Sequence, residues 1–420
     1  MVILFSFKKQ SVRRCIFIIW FLLFLPLCLC AQIFRTPPEL VPYIENAPDI
    51  ISRAAVLIDS ETGALLYSKN PDIQIPPASL TKLMTMHLLM KAIEEGKTSY
   101  DDLVEITVES WAQSQPRNSS LMFLEPGQIV TVREIMLGMA VPSGNDAAVA
   151  AALHLAPTMA DFVNMMTAEA RLMGLYTTRF TESSGISSRN RTTAAEFALF
   201  SRQYINLHPE SLRDFHSVRS FSYPLAANSP ANRRFTTYNQ YNSNTLLNTF
   251  EGVDGLKTGF IGASGYNISL TAQRDQKRFI LVLLGSQANM GGARLRTEES
   301  NRLLSWAFDN FKTVRPQIDF NDADLFTAPL WKGKADTVEL TIAESANFTA
   351  HISRGSSLKY ESVITEPLIA PIAAGAQIGY FNIYDEHGNL SRKTLVTKEA
   401  CESGSFFKRL WHSILLFLRK

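Results

Sequence analysis

Three short motifs in a fixed order constrain this chain more than any other feature of its sequence. They are Ser79-Leu80-Thr81-Lys82, Ser143-Gly144-Asn145 and Lys257-Thr258-Gly259. Together they supply a serine hydroxyl, amines that can move its proton, and a segment that can hold a substrate. Covalent attack on an amide needs these groups. A chain that uses them must fold so that three segments far apart in sequence meet at one site.

The order and context of the motifs carry the information, because each motif alone also occurs by chance. Further matches to the first motif are Ser6/Lys9, Ser356/Lys359 and Ser405/Lys408, and Ser188-Arg189-Asn190 is a second S-x-N. Only the match at Ser79 is followed by an S-G-N and then by the single K-T-G of the chain. It also precedes an apolar run at helical spacing, which predicts a buried helix from Ser79 onward. The run comprises Leu80, Leu83, Met84, Met86, Leu88 and Leu89.

The first two motifs predict a nucleophile with its proton-transfer groups. Lys82 follows Ser79 by three residues, which places both side chains on one face of a helix. Lys82 can act as a base only when neutral, which requires burial and a neighbouring positive charge such as Lys257. We expect Ser143 to relay a proton to the leaving amine and Asn145 to orient Lys82. Taken singly, Ser79 and Lys82 would be interpreted as a helix cap and a surface lysine; the other two motifs favour the catalytic interpretation.

The third motif predicts a strand edge that binds the substrate. Gly259 allows a ligand to approach the backbone closely, and an edge strand offers unpaired N–H and C=O groups to an extended peptide. The side chains of Lys257 and Thr258 can bind a carboxylate. The backbone N–H groups of Ser79 and Phe260 are the candidates for an oxyanion hole.

Residues 1–30 predict an export signal, with an uncleaved membrane anchor as the alternative. The segment has a basic start followed by an uncharged run of sixteen residues, Cys15–Cys30, which is short for a membrane span. The whole chain has a formal charge of +2, and this segment holds four basic residues and no acidic one, so residues 31–420 carry a charge of −2. This charge does not favour a nucleic-acid partner. Cleavage also removes Cys15, Cys28 and Cys30, leaving Cys401 without a disulfide partner.

Hydrophobic patterning divides the remaining chain into three parts. Residues 45–312 mix strand and helix patterns, including hairpins within 54–67 and 266–284 and a closing helix over 298–311. Residues 314–398 alternate without helices, which predicts a small all-β domain. Residues 404–420 predict an amphipathic helix whose aromatic and basic sides suit a membrane interface. Docking on its own domain or on a partner is the alternative for that helix.

The motifs in their contexts resemble the low-molecular-mass penicillin-binding proteins, the serine-type D-alanyl-D-alanine carboxypeptidases. The stretches that carry the resemblance are residues 77–82, 120–127, 143–147 and 253–259, and it extends from about residue 45 to the C-terminus. It implies an α/β (α+β) penicillin-binding and β-lactamase-like transpeptidase domain, followed by the β domain and a helical anchor. Arg296 best matches the arginine that holds the terminal carboxylate in this family, although Arg294 is close. Phe260 replaces the histidine common after K-T-G, which leaves substrate preference open.

The resemblance implies a function without a metal or cofactor. Ser79 would be acylated by the penultimate D-Ala carbonyl of peptidoglycan stem pentapeptides, D-alanine would leave, and water would hydrolyse the acyl-enzyme. β-Lactams would acylate the same serine. We therefore expect a periplasmic enzyme on the outer face of the inner membrane, held there by residues 404–420.

Three other functions remain as alternatives. A DD-endopeptidase that cuts cross-links would share the chemistry in a roomier site. A class A-like β-lactamase would need a glutamate-activated water, but no E-x-x-L-N lies between Asn145 and Lys257. A wall-binding scaffold with a vestigial site is disfavoured because all three motifs are intact.

Overall fold

The structure, a computed structural model, describes residues 46–418 except residues 288, 290 and 366. The predicted export signal and three of the four cysteines lie outside these residues. The helices are α1 Lys82–Glu94, α2 Val132–Ala140, α3 Asn145–Leu155, α4 Met159–Leu172, α5 Ala194–Leu207, α6 Leu246–Thr249, α7 Gly292–Asn310, α8 Ala323–Phe326 and α9 Phe406–Leu418. The strands are β1 Ala54–Asp59, β2 Leu65–Lys69, β3 Ser220–Tyr223, β4 Tyr238–Tyr241, β5 Val253–Ile261, β6 Gly265–Arg274, β7 Lys277–Ser286, β8 Phe311–Val314, β9 Thr327–Trp331, β10 Thr337–Ile342, β11 Phe348–His351, β12 Lys359–Ile364, β13 Leu368–Ile369, β14 Gln377–Asp385 and β15 Gly388–Thr397.

A five-stranded antiparallel sheet in the order β2-β1-β7-β6-β5 forms the centre of the first region. Alternate residues of β7 point to opposite faces. Ile280 and Val282 join the core shared with α1 to α5, whereas Phe279 and Leu281 join the core against α7. The sheet is therefore covered on both faces, and the predicted α/β fold and both predicted hairpins are confirmed.

The fold brings the three motifs to one edge of this sheet. A turn of 3₁₀ helix, Ala78–Thr81, precedes α1, so the α-helix begins at Lys82 rather than at Ser79. The S-G-N motif lies in the turn where α2 ends and α3 begins, and Pro142 and Gly144 interrupt the helical path there. The K-T-G motif lies on β5, the edge strand.

The closing helix is longer than the sequence predicts. Helix α7 starts at Gly292 rather than at residue 298 and ends at Asn310. Gly291 caps it in the left-handed conformation with φ +69°, and a Cβ on Gly292 would lie 2.5 Å from the Tyr266 ring. Glycines ordinarily signal a helix end, but here they allow the helix start to pack against β6.

The second region is an all-β domain with its own apolar core, as the patterning predicts. Its six-stranded sheet has the order β12-β14-β15-β10-β9-β13. Strand β8, which leads out of α7, pairs with β11. In addition, the Asp59 carboxylate on β1 accepts hydrogen bonds from the hydroxyl groups of Thr313 and Thr349. The β domain is thus bonded to the first region through both the connecting strand and a buried side chain.

Helix α9 packs on the β domain with its polar side and leaves its apolar side in solvent. The backbone N–H of Lys332 donates to His412 Nδ1 at 2.8 Å, and Lys408 Nζ lies 2.8 Å from Asp336. Seven large apolar side chains of the helix are exposed, namely Phe406, Phe407, Leu410, Trp411, Ile414, Phe417 and Leu418. Within the described part of the chain, no helix is both long enough and apolar enough to cross a membrane.

Candidate active site

Ser79 is held between two glycines that approach its backbone. Ala78 adopts φ +52°, a conformation that L-residues rarely take. A Cβ on Gly185 would lie 1.8 Å from the Ala78 carbonyl oxygen, and one on Gly259 would lie 2.9 Å from the Ser79 nitrogen. The structure therefore uses glycine on both sides of the serine, where any larger residue would displace it.

Lys82 is buried and directed at Ser79. Its Nζ lies 3.1 Å from Ser79 Oγ, 2.7 Å from Asn145 Oδ1 and 2.7 Å from the Ser184 carbonyl oxygen. Burial lowers the pKa of Lys82 to about 7. In the neutral amine, the two N–H groups can donate to Asn145 and Ser184, which leaves the lone pair directed at the Ser79 hydroxyl.

The S-G-N turn places a second hydroxyl in the site. Ser143 adopts φ +64°, and its buried Oγ has no hydrogen-bond partner among the described residues. The next residue after the motif, Asp146, is buried and accepts backbone N–H groups of residues 122–124 and of Ala147. Burial raises the pKa of Asp146. The carboxylate thereby fixes the turn against the segment that precedes it.

Lys257 is a second buried amine near the site. Burial, and then the charges of Lys82 and Arg296, lower its pKa well below the ordinary value. Near it, His216 Nδ1–H donates to the Leu256 carbonyl oxygen at 3.2 Å, and burial keeps this ring neutral by lowering its pKa to about 3. A buried basic group favours an anionic ligand, because a neighbouring negative charge stabilises its protonated form.

The K-T-G strand and one arginine complete the predicted site. Thr258 is buried and Gly259 contacts the serine turn, whereas the Phe260 side chain is exposed. Arg296 points inward with only 6 % of its surface exposed. Arg294 points into solvent and pairs with Glu298 instead. The geometry therefore separates the two arginines that the sequence left as alternatives.

Several residues that shape the site lie outside the three motifs. Glu182 accepts backbone N–H groups of Ser184 and Gly185, so it shapes the loop whose carbonyl holds Lys82. Asn190 of the second S-x-N donates to Glu182 and to Thr81 Oγ1. Asn190 thus connects the loop at Glu182 to the turn that carries Ser79. The remaining S-x-x-K matches in the described residues, at 356 and 405, lie in the β domain and just before α9.

Comparison with known proteins agrees with this geometry. The D-alanyl-D-alanine carboxypeptidase family matches residues 42–288, and the penicillin-binding protein 5 C-terminal domain matches residues 320–403. D-alanyl-D-alanine carboxypeptidase DacC of Escherichia coli is 32 % identical over 88 % of this chain and 89 % of its own length. Penicillin-binding protein 5 from Haemophilus influenzae superposes with a TM-score of 0.76 at 28 % identity, covering 86 % of this chain and all of that one. Penicillin-binding protein D2 from Listeria monocytogenes, solved with ampicillin bound, superposes with a TM-score of 0.53 at 27 % identity. The match covers 62 % of this chain and all of that one.

Proposed function

The chain belongs to the D-alanyl-D-alanine carboxypeptidase family and is a serine-type peptidase, and we propose that Ser79 is the residue acylated by peptidoglycan stem pentapeptides. The observation that carries this assignment is the buried Lys82 amine 3.1 Å from Ser79 Oγ. An amine whose pKa is about 7 is partly neutral at physiological pH. It can therefore accept the serine proton when the hydroxyl attacks.

Acylation proceeds by attack of Ser79 Oγ on the penultimate D-Ala carbonyl carbon. Lys82 takes the hydroxyl proton, and the backbone N–H groups of Ser79 and Phe260 receive the charge that develops on the carbonyl oxygen. The carbon–nitrogen bond then breaks as Ser143 passes a proton to the departing amine and is reprotonated from Lys82. Lys82 then deprotonates a water molecule, which hydrolyses the ester and restores Ser79.

The terminal carboxylate of the substrate binds to the cationic side of the site. Lys257 and Arg296 are both buried, and neither forms an ion pair with a carboxylate among the described residues. Thr258 lies beside them on β5 and offers a hydroxyl. We assign the arginine role to Arg296, because the Arg294 side chain is exposed and already paired.

D-Alanine release from a stem pentapeptide tests the assignment directly. The detergent-solubilised full chain should release D-alanine, and Ser79→Ala should abolish release while retaining the fold. β-Lactams should add one acyl group to Ser79, visible by mass spectrometry, as ampicillin binding by the Listeria relative suggests. Efficient cleavage of cross-linked muropeptides without D-alanine release would instead identify an endopeptidase.

We also propose that α9 attaches the protein to a membrane surface on the periplasmic side of the inner membrane. Its polar residues Lys408 and His412 are engaged by the β domain, so its seven apolar side chains face outward. A helix whose apolar side served to dock it on its own domain would bury these residues instead. Outward apolar residues beside Arg409 suit an anionic lipid interface.

Vesicle binding separates lipid attachment from a protein partner. The full chain should co-sediment with vesicles containing phosphatidylglycerol, and Trp411→Asp on the outward side should release it. Ser413→Asp, on the polar side of the helix next to Arg409, is the matched control and should retain binding. Truncation after Glu399 should move the protein to the soluble fraction. A truncated form that stayed membrane-bound would mean that α9 is not the attachment or that residues 1–30 are retained as an anchor.

A further inference from the structure

Arg296 is a buried cation without the partners that buried cations usually have. Its Nε has no hydrogen-bond partner among the described residues, and one terminal NH₂ group donates to the Asn267 carbonyl oxygen at 3.5 Å, the limit of a hydrogen bond. Burial lowers the pKa of Arg296 to about 10. Leaving a charge buried and weakly bonded is costly, so the free donors of Arg296 are available to a ligand.

The aromatic ring of Tyr266 is the group that faces this cation. The Arg296 guanidinium carbon lies 6.0 Å from the ring centroid, at the outer limit of a cation–π contact. Such a contact stabilises positive charge through the face of the ring and accepts none of the N–H groups. The arginine is thereby supported while its hydrogen-bond donors stay free.

Neighbouring residues fix the Tyr266 ring in place. Phe260, which pairs with Tyr266 across β5 and β6, packs against the ring with centroids 4.3 Å apart. On the α7 side, a Cβ at Gly292 would lie 2.5 Å from Tyr266 Cδ2. The ring is held between an exposed aromatic side chain and the start of the helix that carries Arg296.

We propose that Tyr266 is a positioning residue that gives the site its preference for substrates with a free C-terminal carboxylate. It supports and orients Arg296 through its ring, and Phe260 packs against that ring. The proposal rests on the proposed function, because it takes Arg296 as the carboxylate-binding group. Phe260 then contributes its side chain to specificity as well as its backbone to the oxyanion hole.

The test compares one stem pentapeptide in two forms, with a free C-terminal carboxylate and with a C-terminal amide. The ratio of kcat/KM for acid over amide isolates recognition of the carboxylate from all other effects. Tyr266→Leu removes the ring and should lower this ratio about two- to fivefold, the range for a weak cation–π contact. Tyr266→Phe keeps the ring and should restore the wild-type ratio.

Two more variants keep the test decisive. Phe260→Ala changes an exposed side chain, so the fold is retained, and it should lower the ratio by a smaller factor. Arg296→Gln removes the charge and should lower the ratio most. If Tyr266→Leu and Phe260→Ala slow both substrates equally while Arg296→Gln lowers the ratio, the ring has only a structural role and the proposal is wrong. If Arg296→Gln leaves the ratio unchanged, the assignment of Arg296 itself fails.

Discussion

The rate of acylation should rise with pH through the pKa of Lys82. Because this pKa is about 7, the neutral fraction of the amine is about one tenth at pH 6 and about nine tenths at pH 8. Asn145 sets part of this environment, since its neutral amide oxygen accepts from Lys82 Nζ at 2.7 Å. A carboxylate at the same position would stabilise the protonated amine instead.

Asn145→Asp should therefore move the acidic limb of the pH–rate profile to higher pH. An opposite charge within about 4–6 Å shifts a pKa by about one to three units. With the Lys82 pKa raised to between about 8 and 10, its neutral fraction at pH 7 falls from about one half to between about one tenth and one thousandth. Acylation at pH 7 should slow by about 5- to 500-fold and recover as the pH rises.

Stopped-flow acylation by a chromogenic β-lactam measures this limb between pH 5.5 and 10. Asn145→Ala is the matched control, because it removes the same amide without adding charge. It should lower the plateau rate without moving the limb to higher pH. If the limb of Asn145→Asp coincides with that of Asn145→Ala, Lys82 is not the base whose neutral form limits acylation.

The remaining predictions concern the fold around the site. Asp146→Asn should lower the free energy of unfolding by about 2–4 kcal/mol in urea titrations, since an amide cannot accept from all the backbone N–H groups that the carboxylate binds; an unchanged midpoint would contradict this. Gly185→Ala places a methyl group 1.8 Å from the Ala78 carbonyl oxygen and should cost at least tenfold in Ser79 acylation, measured on soluble protein. Glu169 has its pKa lowered to about 2, chiefly by its hydrogen bond to His87. Its contribution to stability is complete above about pH 4.5 and is lost as the pH falls towards 2. Glu169→Gln should therefore show a shallower loss of stability across that range in acid denaturation followed by circular dichroism.

The sequence predicts the fold and the meeting of the three motifs because the order and context of the motifs resemble one family, whereas the pairing of Ser79 with Lys82 is local. The spacing of Ser79 and Lys82 already places both on one turn, and the continuous apolar run 279–284 in β7 suits a strand that is covered on both faces. Comparison with known proteins confirms the family and the serine-type activity. The roles of the individual site residues stay predictions, and the geometry described above supports them.

Contacts between distant segments explain what the sequence could not show. Buried Glu169 contacts His87, which contacts His208 at 2.8 Å, although the three residues lie on α4, on α1 and just after α5. Nothing near any of them in sequence signals the others. Similarly, the early start of α7 depends on the fit of Gly292 against Tyr266, which no local pattern encodes.

The joint between the two domains bears on where a tethered enzyme can work. Strand β8 follows α7 without a linker and is itself hydrogen-bonded to β11, so the connection has no free segment about which the domains could swing. Asp59 of the first region also accepts hydrogen bonds from Thr313 and Thr349 at this joint. If the protein is attached through α9 as proposed, this joint would limit how far the distance between Ser79 and the lipid surface can change. Stem peptides within a thin layer of the wall would then be trimmed, while those nearer the membrane or further out would escape.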